Sequence, residues 1–102
     1  MTNISAQELK SRLDAGEKLN IIDVREPEEY AAGNMGGKLI PLGKIMNMQI
    51  EELEGLEDQE VILHCKSGRR SMQAGVMLEQ AGFKNVVNLT GGIVDWEKLQ
   101  NS

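Results

Sequence analysis

The sequence predicts a single α/β domain built on a mostly parallel sheet. Three observations lead there. Segments with helical spacing alternate with short apolar runs along the chain, the order of a strand–helix–strand fold. The apolar runs, residues 19–24, 61–64 and 86–89, have the length of buried strands rather than of helices. The chain has 102 residues, enough for one compact domain and too few for two, so one domain over 1–102 is expected.

Each element follows in turn. Ser5 with Glu8 three residues on forms a capping-box signature, and Ala6, Leu9 and Leu13 then share a helical face that Gly16 ends. Residues 19–24 read as a buried strand running into polar Arg25 and Glu26. Pro27 suits a first helical position, which starts a turn carrying Glu28, Glu29 and Tyr30, all expected at the surface or in packing. Gly33–Gly37 reads as loop, and Lys38–Ile40 as a very short strand stopped by Pro41. Residues 42–57 fit one or two irregular helices. Val61–His64 is a strand, Cys65–Arg70 a tight loop, and a helix is expected from about Ser71 to Gln80. Ala74, Met77, Leu78 and Ala81 mark its apolar face, with Gly75 permitting close approach and Gly82 ending it. Val86–Leu89 is the next strand. Gly91 and Gly92 lead into a last helix with Ile93, Trp96 and Leu99, Trp96 as a core anchor. Ligands in such folds bind beyond the carboxyl ends of the strands. Three such ends carry polar residues: Asp23 to Arg25, Cys65 to Arg70, and Thr90 to Gly92.

Composition narrows the function. Hydrophobic residues make up 40% and charged residues 26%, the balance of a soluble globular domain. No apolar run reaches the roughly 20 residues of a spanning helix, and the N-terminus lacks a secretory profile, so a cytoplasmic protein with no membrane partner is expected. A net charge of −5 disfavours nucleic acid, which calls for a basic face. The exception is Lys66, Arg69 and Arg70, beside the chain's one cysteine, and this cluster points to a small anionic substrate. One cysteine makes neither an internal disulfide nor a multi-cysteine metal site. No metal or organic cofactor is called for.

The chemical centre is residues 64–71, HCKSGRRS. A strand delivers Cys65, a six-residue loop curls to Arg70, and a helix follows. Gly68 permits a left-handed backbone angle. The loop N–H groups and the positive end of the incoming helix then converge on one centre, which favours a thiolate, a persulfide anion or a bound oxyanion. Ser67 and Ser71 offer hydrogen bonds that fix the loop or cap the helix. His64 alternates to another face of the strand and is expected to be structural or solvated rather than a base.

The ordered set of motifs resembles the rhodanese homology domain over nearly the whole chain. Residues 22–30, IDVREPEEY, with Gly33, resemble its first signature. Pro41 and Leu42 resemble the entry to its central helices, Cys65 to Ser71 its active-site loop, and Leu89 to Ile93 with Trp96 its closing signature. The resemblance implies a three-layer fold with a five-stranded parallel sheet flanked by helices. It implies Cys65 as nucleophile and sulfur carrier, with the N–H groups of residues 66–70 around the persulfide. Arg70 corresponds to the arginine that closes the loop, and Lys66 and Arg69 attract the anionic donor. Asp23 and Arg25 brace neighbouring loops, and Gly91 and Gly92 let the last loop pass close to the site. Asn34-Met35-Gly36 departs from the family, which commonly has histidine, isoleucine and proline there, and a less rigid loop is expected.

The resemblance therefore implies a thiosulfate sulfurtransferase type of enzyme. Sulfane sulfur would move from thiosulfate or a persulfide donor, through a Cys65 persulfide, to cyanide, a small thiol or a protein thiol. A non-catalytic binding or regulatory module is the alternative. A phosphatase-like or arsenate-reducing enzyme is disfavoured. Its loop has five residues between cysteine and arginine where this one has four, and no second cysteine is present for recycling. With no resolving thiol, an outside acceptor must complete each cycle.

Overall fold

The computed structural model describes residues 1–101. The elements, in chain order, are β1 (Thr2–Ile4), α1 (Ala6–Asp14), β2 (Asn20–Asp23), α2 (Pro27–Ala32), β3 (Lys38–Leu39), α3 (Leu42–Met46), a 3₁₀ turn (Glu51–Leu53), β4 (Glu60–His64), α4 (Arg69–Gln80), β5 (Asn85–Leu89) and α5 (Gly92–Gln100). The five strands form one sheet in the order β1-β5-β4-β2-β3, every neighbouring pair parallel.

Strand alternation divides the core in two. Ile22, Val24, Val61, Leu63 and Val86 pack with Ile45 of α3 and Ala74 and Leu78 of α4 on one face. Ile4, Ile62, Val87 and Leu89 pack with Ala6 and Leu9 of α1 on the other, where Trp96 and Leu99 of α5 add partly buried surface. The sheet is thus sandwiched between helix layers, as a parallel sheet requires.

Local chemistry sets the helix ends. The Ser5 hydroxyl accepts from Glu8 N at 3.0 Å, and the Glu8 carboxylate accepts from Ser5 N at 3.2 Å, closing the capping box of α1. Pro27 occupies the first turn of α2. α4 starts two residues before the expected Ser71, at Arg69, because Gly68 turns left-handed at φ +105° and its carbonyl already accepts from Met72 N. Gly75 lies against Val86 of β5, so a methyl group there would press on the sheet.

The segment 34–37, where family resemblance fails, is pinned by hydrogen bonds. Asn34 Nδ2 donates to Tyr30 O, Asn34 Oδ1 accepts from Gly36 N, and the Tyr30 hydroxyl donates to Gly37 O at 2.7 Å. A Cβ at Gly37 would lie 2.8 Å from Ile21 O, so glycine lets this loop seat on β2. Among the described residues no helix is long and apolar enough to cross a membrane.

Candidate active site

The parallel register aligns the carboxyl ends of β2, β4 and β5, with Asp23 opposite His64 and Leu63 opposite Asn88. The chain leaves β4 at Cys65, which follows Leu63 into the α4 face and is 1% exposed. Gly68 N donates to Cys65 Sγ at 3.1 Å, and Ser71 Oγ lies 3.5 Å from it. The sulfur therefore sits at the head of α4, inside its own loop.

The loop carbonyls are held from the far side. Ile93 N donates to Cys65 O at 2.9 Å, and Val94 N donates to Lys66 O at 3.2 Å. These are first-turn donors of α5, which have no partner within their own helix. In a trans peptide the N–H points opposite to the C=O. Fixing the two carbonyls on α5 thus aims the Lys66 and Ser67 N–H groups away from that helix. The contact demands glycine: a Cβ at Gly92 would fall 2.5 Å from Cys65 O and 2.6 Å from Lys66 O. Gly91 and Gly92 also both have positive φ, at +77° and +56°.

Burial pushes the Cys65 thiol up, but hydrogen bonds from the Ser71 side chain and the Ser71, Gly68 and Ser67 N–H groups outweigh it, so the thiol lies below its ordinary value. These donors favour the thiolate form of the sulfur.

The two arginines of the motifs do different things. Arg25 and Asp23, both buried, form a tight pair: Nη2 to Oδ2 is 2.8 Å, and Nε donates to both carboxylate oxygens. Arg25 Nη2 also donates to Gly33 O at 2.7 Å, which ties the end of α2 to β2. Arg70 leans outward from the cradle and forms a bidentate pair with Glu29 of α2, at 2.6 and 2.8 Å. The side-chain hydrogen bond from Arg70 chiefly lowers the Glu29 pKa, to about 2. Glu29, expected only as helix surface or packing, thus belongs to the rim of the site.

Lys66 and Arg69 are exposed, without an ion pair among the described residues. His64 is fully buried rather than solvated. Neither ring nitrogen has a hydrogen-bond partner, and Asp23 Oδ2 is 3.7 Å from Nε2. Burial foremost keeps its pKa down, so the ring is neutral and is no base for a sulfur on the opposite face of the strand. Asn88 of β5 was missed by sequence reasoning. It is 3% exposed and touches both Ser71 and Gly68. Its signal was a polar residue at an inward strand position between Val87 and Leu89.

Two clefts flank the loop. One of about 260 Å³ is bordered by Arg25, Glu29, Gly33, Lys66 and Glu97. The other, of about 320 Å³, is bordered by Ser67, Arg69, Met72, Asn88 and Thr90. A third cleft of about 360 Å³ lies toward the amino end of β2, lined by Leu13, Leu19, Met35 and Leu56 and by none of the residues of the Cys65 loop.

The family model of the rhodanese-like domain matches residues 5–99, which hold β2 to β5 of the parallel sheet and the Cys65 loop. The chain belongs to the rhodanese-like domain family. This rhodanese-like domain is 42% identical over 94 residues to the putative sulfur carrier protein YrkF of Bacillus subtilis, covering 91% of this chain and 49% of that protein, so it spans about half that relative's length. It is 42% identical over 96 residues to the putative sulfurtransferase YtwF of the same organism, covering 92% and 88% of the two chains. The crystal structure of a rhodanese-like domain protein from Staphylococcus aureus superposes with a TM-score of 0.83 at 32% identity, over 94% of this chain and 91% of that one.

Proposed function

We propose that this rhodanese-like domain is a sulfurtransferase in which Cys65 carries sulfane sulfur as a persulfide. The observation that carries the reading is the sulfur itself, held at 3.1 Å from Gly68 N–H at the head of α4 with Ser71 Oγ beside it. A cradle of N–H donors suits a sulfur that is anionic before and after transfer.

In the first half-reaction the Cys65 thiolate attacks the outer sulfur of thiosulfate. The new S–S bond forms as the thiosulfate S–S bond breaks, and sulfite leaves with the electron pair. In the second, cyanide or a thiolate attacks the terminal sulfur, and Cys65 leaves as thiolate. No proton and no net charge is gained by the protein in the cycle with cyanide. This is covalent catalysis in two displacements. Exposed Lys66 and Arg69 would draw the dianionic donor to the loop, and the chain's single cysteine leaves the acceptor to come from outside.

The test is steady-state turnover with thiosulfate and cyanide. Sulfite and thiocyanate should appear in equal amounts, and Cys65→Ser should produce neither. A second reading, a binding module without turnover, is favoured by the depth of Cys65, which is 1% exposed. It predicts no sulfite from thiosulfate or from a small persulfide donor.

A further inference from the structure

We propose that Asn88 is a positioning residue for Cys65, holding Ser71 and the Gly68 turn beside the sulfur. The inference rests on Cys65 being the working nucleophile and reaches it through a neighbouring strand.

Asn88 sits on β5, opposite Leu63 in register, two residues before Cys65 in the adjacent strand. It faces the α4 side and is 3% exposed. Its Oδ1 accepts from Ser71 Oγ at 2.6 Å, and its Nδ2 lies 3.5 Å from Gly68 O. Ser71 and Gly68 both place a group on Cys65 Sγ, alongside the Ser67 N–H. One buried amide on the sheet therefore spans two of the sulfur's partners. Ser71 Oγ also contacts Gly68 O at 3.2 Å, which closes a ring of three residues behind the sulfur.

The Ser71 hydroxyl has one proton and three acceptors around it: Asn88 Oδ1, Gly68 O and Cys65 Sγ. With the thiol protonated, the proton goes to Asn88 at the shortest distance. With the sulfur ionised, Sγ is the strongest acceptor and the proton turns to it from Asn88 Oδ1, while Asn88 Nδ2 keeps its contact with Gly68 O and holds the loop in place. Loss of Asn88 leaves Gly68 O without that contact and Ser71 without a neighbour that places its oxygen, so the turn that brings Gly68 N and Ser71 Oγ to the thiolate is held less well.

Asn88 shares its hydrogen bonds with Ser71 and Gly68, not with the charged groups around the site. Arg70 of α4 feels the thiolate, with Glu29 of α2 paired to it. His64 of β4 has Asp23 and Arg25 of β2 nearby, and Lys66 and Arg69 lie in the loop. On α5, Asp95 and Glu97 flank the helix that holds the loop carbonyls.

The experiment is the rate of Cys65 alkylation by iodoacetamide against pH, in wild type, Asn88→Leu, Ser71→Ala and the double variant. It needs no sulfur donor, so its failure is separate from failure of the sulfurtransferase reading. The expected result is a thiol pKa about one unit higher in each single variant, a tenfold loss of thiolate near neutral pH. The maximum rate at high pH should be kept, and the double variant should shift by less than the sum, because Asn88 acts in part through Ser71. Asn88→Ala serves in the same comparison if the leucine disturbs folding. An unchanged thiol pKa in a folded Asn88 variant overturns the proposal, as do fully additive shifts. A purely structural asparagine would lower the melting temperature and leave the pH profile alone.

Discussion

Glu29 and Arg70 lie 41 residues apart and share two hydrogen bonds at the rim of the cradle. Their pairing offsets the charge of a cation that attracts the Cys65 thiolate. Glu29→Gln removes that offset. It should speed Cys65 alkylation at pH 7 by lowering the thiol pKa, while costing about 1 kcal/mol or less of stability for so exposed a pair; the pH profile of alkylation and a denaturant titration check both. His64 works in the opposite sense. It is the chain's one histidine, buried and neutral, with a pKa below that of the unfolded chain. Below about pH 6.5 the unfolded state takes up a proton that the native state refuses, so stability falls as pH falls. Wild type should lose urea midpoint between pH 7 and pH 5, and His64→Phe should lose less over the same window. Neither role was legible in the sequence. Glu29 meets Arg70 only through the fold, and the burial of His64 depends on α1 and α5 covering its face of the sheet.

At the scale of elements, α5 supports the Cys65 loop through its first turn. Its N–H groups hold the carbonyls of Cys65 and Lys66, and Gly92 permits the approach. Gly92→Ala should destabilise the domain by about 1–3 kcal/mol from the backbone angle alone, with the collision against Cys65 O added. It should also cut sulfur transfer more than Gly82→Ala, whose Cβ would meet nothing within 4 Å although its φ is +101°. Thermal melts with activity assays on both variants separate loop geometry from glycine strain. The elements themselves were largely readable. The Ser5–Glu8 box and the Leu9 face announce α1, and the apolar runs announce β2, β4 and β5. β1 was not readable from its residues, because three residues with only Ile4 buried are too short to show a period of two. The start of α4 was misplaced because its cap is a glycine, which supplies no side-chain signal. Residues 42–57 resolve into α3 and a 3₁₀ turn, each too short for helical periodicity to mark its ends.

For the whole molecule, the net charge is −5, yet the cradle's mouth carries exposed Lys66 and Arg69. If this local field draws the donor, the KM for thiosulfate should rise with salt, as the Debye length falls from about 30 Å at 0.01 M to about 8 Å at 0.15 M. A KM that falls with salt would mean that the overall negative charge dominates the encounter. The motifs were legible because loop chemistry is local: Cys65, Gly68 and Ser71 lie within seven residues. The close approach of Gly91 and Gly92 was legible from the closing motif, but Asn88 and Glu29 were not, because they reach the loop only through the fold. The central claim, that this assembly makes Cys65 a sulfur carrier, is tested most directly by intact mass after incubating the reduced protein with thiosulfate. The account predicts a gain of about 32 mass units that cyanide removes and that Cys65→Ser never shows. No gain from either thiosulfate or a small persulfide, with Cys65 shown to be alkylated readily, would contradict it.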